Sequence, residues 1–187
     1  AASDELGSHI DRGIVITKYG HIKDDIPNIT CHEAGHPVPD ANSFAATQEA
    51  LDLTEGLTAE DTVLFLLSGG GSALFEKPLI PAEELKDLTE QLLASGADIV
   101  AVNTLRKRMS AVKGGRFAEH CAPAQVFTIV LSDILGDPLD MIASGPAYPD
   151  TSTAEDAHAV VKKYGIRLST AATKLLDTPL PSELPNV

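Results

Sequence analysis

Apolar positions along the 187 residues fall into two kinds of run, and the two alternate. Gly13-Ile14-Val15-Ile16-Thr17, Val63 to Leu67 and Val126 to Leu131 are short, nearly continuous and rich in branched aliphatic residues. That is the pattern of strands buried on both faces. Asn28 to Cys31 has the composition of a further short strand. Between the strands, Ala41 to Glu55 predicts a helix, entered through Pro37 and Pro39 and ended near Gly56. Pro81 to Ser95 predicts another, with Pro81 in its first turn and Leu85, Leu88, Leu92 and Leu93 in one stripe. A third runs from Asp98 to about Ala111. Ser152 and Glu155 form a candidate capping box ahead of Ala157, Val160, Val161 and Tyr164. Ala1 to Ile10 has the character of a helix tail, so an upstream element is expected to be missing. Past Thr178, Pro179, Pro181 and Pro185 predict an exit linker over 179–187. Strand–helix alternation of this kind predicts one α/β domain over 1–178, a three-layer α/β/α Rossmann-like fold with a mostly parallel sheet.

Composition narrows the function classes. The chain is 43% hydrophobic and 22% charged, which is globular, not disordered. No apolar run approaches the roughly 20 residues of a membrane span, and no signal peptide opens it. Two cysteines, Cys31 and Cys121, are too few for a disulfide framework, so a reducing, cytoplasmic compartment is expected. A net charge of −13, with 4% aromatics and no Trp, argues against nucleic acid and anionic membranes as partners. One window breaks the acidic trend. Asn103 to Arg116 holds Arg106, Lys107, Arg108, Lys113 and Arg116 and no carboxylate. A compact basic island in an acidic chain suits a small anion better than a polyanion.

Four segments carry candidate chemistry. His32-Glu33-Ala34-Gly35-His36 matches the H-E-x-x-H zinc pattern, which requires a helix to bring both imidazoles onto one face. Gly35 inside the motif and Pro37 directly after it forbid that helix, so His32 and His36 are not expected to bind zinc. Ser68-Gly69-Gly70-Gly71-Ser72 follows a buried strand directly. Consecutive glycines there let the backbone approach an anion closely at the carboxyl end of a strand, where α/β ligands sit. Neither a Walker A nor a dinucleotide fingerprint is present. In the basic island, Arg106, Lys113 and Arg116 are candidates to hold carboxylate or phosphate, with Asn103 at its start. Asp133 and Asp137 lie in Ser132-Asp133-Ile134-Leu135-Gly136-Asp137-Pro138, again just past a strand. They could hold Mg2+ through water, orient a hydroxyl or act as a base. Each is also an ordinary turn residue in a Gly/Pro loop. Ser144-Gly145-Pro146 makes a further polar turn close by.

Taken in order, Thr17-Lys18-Tyr19-Gly20-His21, Glu33 to Asp40, Leu67 to Ala73, Asn103 to Arg116, Leu131-Ser132-Asp133 with Gly136-Asp137, and Ser144-Gly145-Pro146 resemble the class II glycerate kinase family. Some members of that family carry the older label hydroxypyruvate reductase. The resemblance spans Gly13 to about Ile166. It implies ATP-dependent phosphorylation of D-glycerate, usually to 2-phosphoglycerate, with Mg2+. Glycerate and a nucleotide are then the partners, and a homodimer is compatible with it. It further implies two α/β/α domains with the active site between them. The chain resembles the first, without the family's upstream strand and Gly-Lys turn and without a second C-terminal domain. A fragment inactive by itself is therefore expected. Arg108 stands where the family often has histidine. Two alternatives remain open on the residues alone: a hydroxypyruvate reductase, or a non-catalytic small-anion-binding domain.

Overall fold

The computed structural model describes residues 2–68, 70–132 and 139–187. Within them, four strands form two parallel pairs. β1 (Gly13–Lys18) pairs with β2 (Ile29–Ala34), Gly13 opposite Ile29 and Lys18 opposite Ala34. β3 (Thr62–Leu67) pairs with β4 (Gln125–Val130), Thr62 opposite Gln125 and Leu67 opposite Val130. Helices fill the connection from β2 to β3 and the crossover that the parallel pairing of β3 with β4 needs. These are α2 (Ala41–Leu53), the short α3 (Gly71–Leu74), α4 (Ala82–Ala94), α5 (Ile99–Arg108) and α6 (Arg116–Cys121). α1 (Ala2–Leu6) precedes β1, and α7 (Ala154–Tyr164) and α8 (Thr170–Leu176) follow β4. The α/β class and the parallel strands are as the hydrophobic pattern predicts.

Among the described residues, two larger cores hold these elements, and a small third joins Leu67 to Ile142 and Ala143. In the first, Leu85, Leu88 and Leu92 of α4 meet Leu105 of α5, Met109, Ala157 of α7 and Leu176 of α8. The leucine stripe predicted on α4 is its buried face, except that Leu93 points to solvent. The second core joins sheet to helices. Ile14, Ile16, Val63, Phe65 and Val126 pack on Phe75, Val112 and Phe117. Phe65, Phe75 and Phe117 form a mutual aromatic cluster with centroids 4.9–5.3 Å apart. β1 and β3 thus present alternate residues to one core.

Several details depart from expectation. β2 runs three residues further than foreseen, to Ala34. α5 stops at Arg108, because Ser110 bridges to Pro78 and the Ala111 N–H donates to the Lys77 carbonyl. The α7 capping box uses Thr153 and Asp156, one residue later than Ser152 and Glu155. Ser152 is engaged elsewhere: its N–H and hydroxyl donate to Asp150, and its carbonyl accepts from Arg108. The segment 179–187 does not leave the fold as a linker. Leu180 lies against Gly114, and Pro181 and Leu184 lie against Gly115. The Asn186 carbonyl accepts from Val126 N–H on the outer edge of β4. Proline confers extension but does not prevent packing where apolar residues alternate with it. Finally, β3 and β4 are not covered on both faces by the described residues. Leu64, Leu66, Phe127 and Ile129 are exposed on the face opposite the core.

Candidate active site at the strand ends

Segments that follow all four strands come together at the carboxyl ends of the two strand pairs. Tyr19, just past β1, donates its hydroxyl to Asp40 Oδ2 at 2.7 Å, in the loop past β2. His36, in that same loop, lies against Gly70, past β3. Gly71 lies against Ala143, from the segment that follows β4. Carboxyl-end loops are where an α/β sheet places its ligand.

Asp40 organises the first of these contacts. It caps α2, with Ser43 N–H and hydroxyl donating to Oδ1, and Ser43 Oγ accepting from its own N–H. Burial works against its charge, but hydrogen bonds from Tyr19, Ser43 and Gly35 outweigh burial and hold its carboxyl down at about 2. Gly35 has no room for a side chain, since a β-carbon there would lie 2.5 Å from the Val38 carbonyl oxygen. The turn from Gly35 to Asp40 is therefore tightly built. A cavity of about 490 Å3 opens beside it, lined by Tyr19, Cys31, His32, Glu33, Asn42 and Glu49.

The H-E-x-x-H segment is a strand followed by this turn, and its histidines part company. His32 Nε2 lies 2.8 Å from Glu49 Oε2 on α2, whereas His36 faces the glycine loop. The Glu33 carboxylate accepts from the N–H groups of His21 and Ile22.

Each described glycine of the Ser68–Ser72 loop has a local reason. Gly70 has φ +91° and starts α3. Gly71 is closely packed, because a β-carbon would meet Leu67 Cδ1 at 2.8 Å and Ala143 Cβ at 2.9 Å. Gly69 lies outside the described residues. Ser68 is exposed and Ser72 half-buried.

The basic island is not a solvated helix end. Most of its donors are turned inward, onto carbonyls. Lys113 is fully buried, and its Nζ donates to the carbonyls of Ser72, Phe75 and Ala143 at 3.1–3.3 Å. Burial lowers its pKa to about 8, partly offset by the nearby Glu76 carboxylate. Arg116 Nη1 donates to the carbonyls of Lys107, Arg108 and Ser110, closing the end of α5. Arg108 donates to the carbonyls of Thr178 and Ser152. Lys107 sits between Asp140 and Asp150, 3.4 Å from each. Arg106 differs. Its side chain keeps 17% exposure, and Nη2 donates to the Ser72 carbonyl at 3.1 Å. Arg106 and Lys113 therefore converge on one carbonyl of the glycine loop, although no continuous helix joins them. Asn103 accepts from the Ser144 hydroxyl at 2.8 Å and so ties α5 to the 142–146 turn.

Sequence reasoning missed Glu76. It is 1% exposed, 3.7 Å from Arg106 Nη2 and 3.6 Å from Lys113 Nζ, and its carboxylate makes no hydrogen bond with the described residues. The one signal was a lone acid soon after the glycines, which no motif marks. Also unforeseen is the backbone at Ala143 and Ser144, two non-glycine residues at φ +50° and +62°. Left-handed non-glycine residues cost roughly 1–3 kcal/mol each and concentrate at functional sites. Gly114 and Gly115 donate to the Ser144 and Gly145 carbonyls and hold this turn in place. Asp133 and Asp137 lie outside the described residues. Among those described, no group of three or more His, Cys, Asp or Glu side chains could hold a metal. Nor is any described helix long and apolar enough to cross a membrane.

Fold and loops together define an α/β domain with its candidate site at the carboxyl ends of parallel strands, around a glycine loop backed by buried cations. The family described as a domain of unknown function, DUF4147, matches residues 1–177, and the chain belongs to it. It is 53% identical over 189 residues to the D-glycerate 2-kinase of Thermotoga maritima, covering 100% of this chain and 45% of that one. It is 43% identical over 159 residues to the glycerate 2-kinase of Pyrococcus horikoshii, covering 84% of this chain and 36% of that one. A crystal structure of glycerate kinase from Thermotoga maritima superposes with a TM-score of 0.97 at 53% identity, over 99% of this chain and 45% of that chain. The chain thus spans less than half the length of these relatives.

Proposed function

We propose that this chain forms part of a cytoplasmic glycerate kinase that transfers the γ-phosphoryl group of ATP to a hydroxyl of D-glycerate, with 2-phosphoglycerate as the favoured product. The observation that carries this is the convergence of Arg106 and Lys113 on the Ser72 carbonyl, in a chain 53% identical throughout to a D-glycerate 2-kinase. In such a transfer the hydroxyl oxygen bonds to phosphorus, the bond to the β-phosphate oxygen breaks, and the hydroxyl proton leaves to a base. Catalysis is then mostly positioning and charge stabilisation. The loop Ser68–Ser72 and the exposed part of Arg106 take carboxylate or phosphate oxygens. Lys113, Arg116 and Asn103 act from behind by holding the loop, the end of α5 and the 142–146 turn in place. Asp133, or Asp137 on the same segment, receives the hydroxyl proton or orients the Mg2+ that accompanies ATP.

The test is glycerate-dependent ADP formation by the protein at its natural length. Asp133→Asn should keep the fold and lower kcat by more than about tenfold, roughly 1.4 kcal/mol of barrier. If Asp133→Asn is silent and Asp137→Asn is inactive, the two exchange roles. If both are silent, neither carboxylate takes part. Rapid NADH oxidation with hydroxypyruvate in the absence of ATP would overturn the kinase assignment.

A further inference from the structure

The histidine that the zinc pattern singled out and the glycine loop meet at a place neither motif foretells. A β-carbon on Gly70 would stand 2.9 Å from His36 Cδ2 and 3.0 Å from His36 Nε2. The imidazole edge therefore rests directly on the backbone of Gly70, in space that any other residue at position 70 would claim. The ring is exposed, and among the described residues it takes part in no hydrogen bond or ion pair. Its placement is nevertheless not that of a loose surface side chain. It projects from the turn held by Asp40, which draws together Tyr19 past β1, Ser43 on α2 and Gly35. A free imidazole is thus carried on a braced turn to the loop that Arg106 approaches from Ser72.

We infer that His36 is a binding and positioning residue, whose ring N–H donates to an anionic oxygen of the ligand held beside Gly70 and Ser72. This rests on the kinase proposal above for the identity of that ligand. The recognised chemistry is a carboxylate or phosphate oxygen, from glycerate or from the nucleotide. In a chain of net charge −13, such an oxygen needs donors supplied locally. Arg106 and His36 supply them from two separate elements, one from α5 and the other from the loop past β2. The absence of a side chain at Gly70 has a second purpose on this account, since it leaves the imidazole edge its position beside the loop.

Kinetics of the protein at its natural length test this, together with the His36 imidazole resonances. His36→Ala should raise KM for D-glycerate or for ATP by at least about tenfold while kcat changes less than about threefold, as expected for a contact kept from ground to transition state. The KM that moves assigns His36 to the carboxylate or to the phosphate. His36→Gln retains an N–H donor and should recover most of the loss, which a space-filling role would not require. In the wild type, the His36 ring resonances should shift on titration with D-glycerate or inorganic phosphate. Both KM values within about twofold of wild type in His36→Ala would overturn the inference. If the wild type forms no ADP with glycerate, the kinase assignment fails. His36 is then judged by the phosphate titration alone: shifted resonances support the anion contact, and unmoved ones overturn it.

Discussion

Asp40 shows how much one side chain can hold in place here. Its carboxylate joins the loops past β1 and β2 to the start of α2, and it must be ionised to accept all of those hydrogen bonds. Its folded pKa of about 2 lies below the ordinary 3.8, so its contribution to stability is present above about pH 3.8. That contribution is lost as pH falls through about 2. Urea melts across pH 2–6 should show this acid limb, and Asp40→Asn should flatten it while lowering stability at pH 6. The sequence placed either Asp40 or Asn42 near a helix start, because Pro37 and Pro39 precede them and a periodic stretch follows, and the fold makes Asp40 the cap. The bond of Asp40 to Tyr19 was not legible there, since that contact spans 21 residues and depends on β1 and β2 being neighbours.

Among the elements, β4 separates what a hydrophobic run says from what it leaves out. Val126 to Val130 is almost wholly apolar, yet Val126 is 3% exposed and Phe127 is 59% exposed. Val126→Ala should therefore cost about 2 kcal/mol, through lost burial and an unfilled space beside Phe117. Phe127→Ala should cost less than about 1 kcal/mol despite removing more atoms. Urea denaturation of the two variants gives the comparison, and equal losses would mean that both faces are covered. A continuous apolar run shows that both faces of a strand tolerate burial. Whether each is covered depends on what packs there. The cap of α7 shows the same limit at its end. Ser152-Thr153 offered two adjacent hydroxyls, and the Asp150 carboxylate decided between them by engaging Ser152.

On the scale of the whole molecule, the tail 179–187 clasps the sheet. Asn186 donates to the Ala118 and Ala124 carbonyls at 2.9 and 3.0 Å, and its own carbonyl caps the outer edge of β4. Asn186→Ala leaves both carbonyls buried without that donor and should cost about 1–3 kcal/mol. The check is the midpoint of urea unfolding at constant m-value. A change below about 0.5 kcal/mol would mean that the tail detaches easily. The sequence pointed instead to an exit linker, because proline content carries no information about the distant groups a tail can reach.

The sequence by itself determined the α/β class, the order of the four strands and of the longer helices α2, α4, α5 and α7, the parallel strands and the position of the glycine loop at a strand end. These follow from local periodicity, glycine and proline, whose effects act within a few residues. It also marked the H-E-x-x-H run as non-helical, by the same local chemistry of Gly35 and Pro37, and the run is the end of β2 followed by a turn. Tertiary structure alone decided where the donors of the basic island go. A cation in the sequence is only a charge, and its partner is whatever the fold brings within about 3 Å. Lys113 found the carbonyls of Ser72, Phe75 and Ala143, Arg116 found the end of α5, and Arg106 kept part of its surface beside the loop. The contacts of Arg106 and Lys113 join residues 30 to 41 positions apart, a distance over which no pattern along the chain operates.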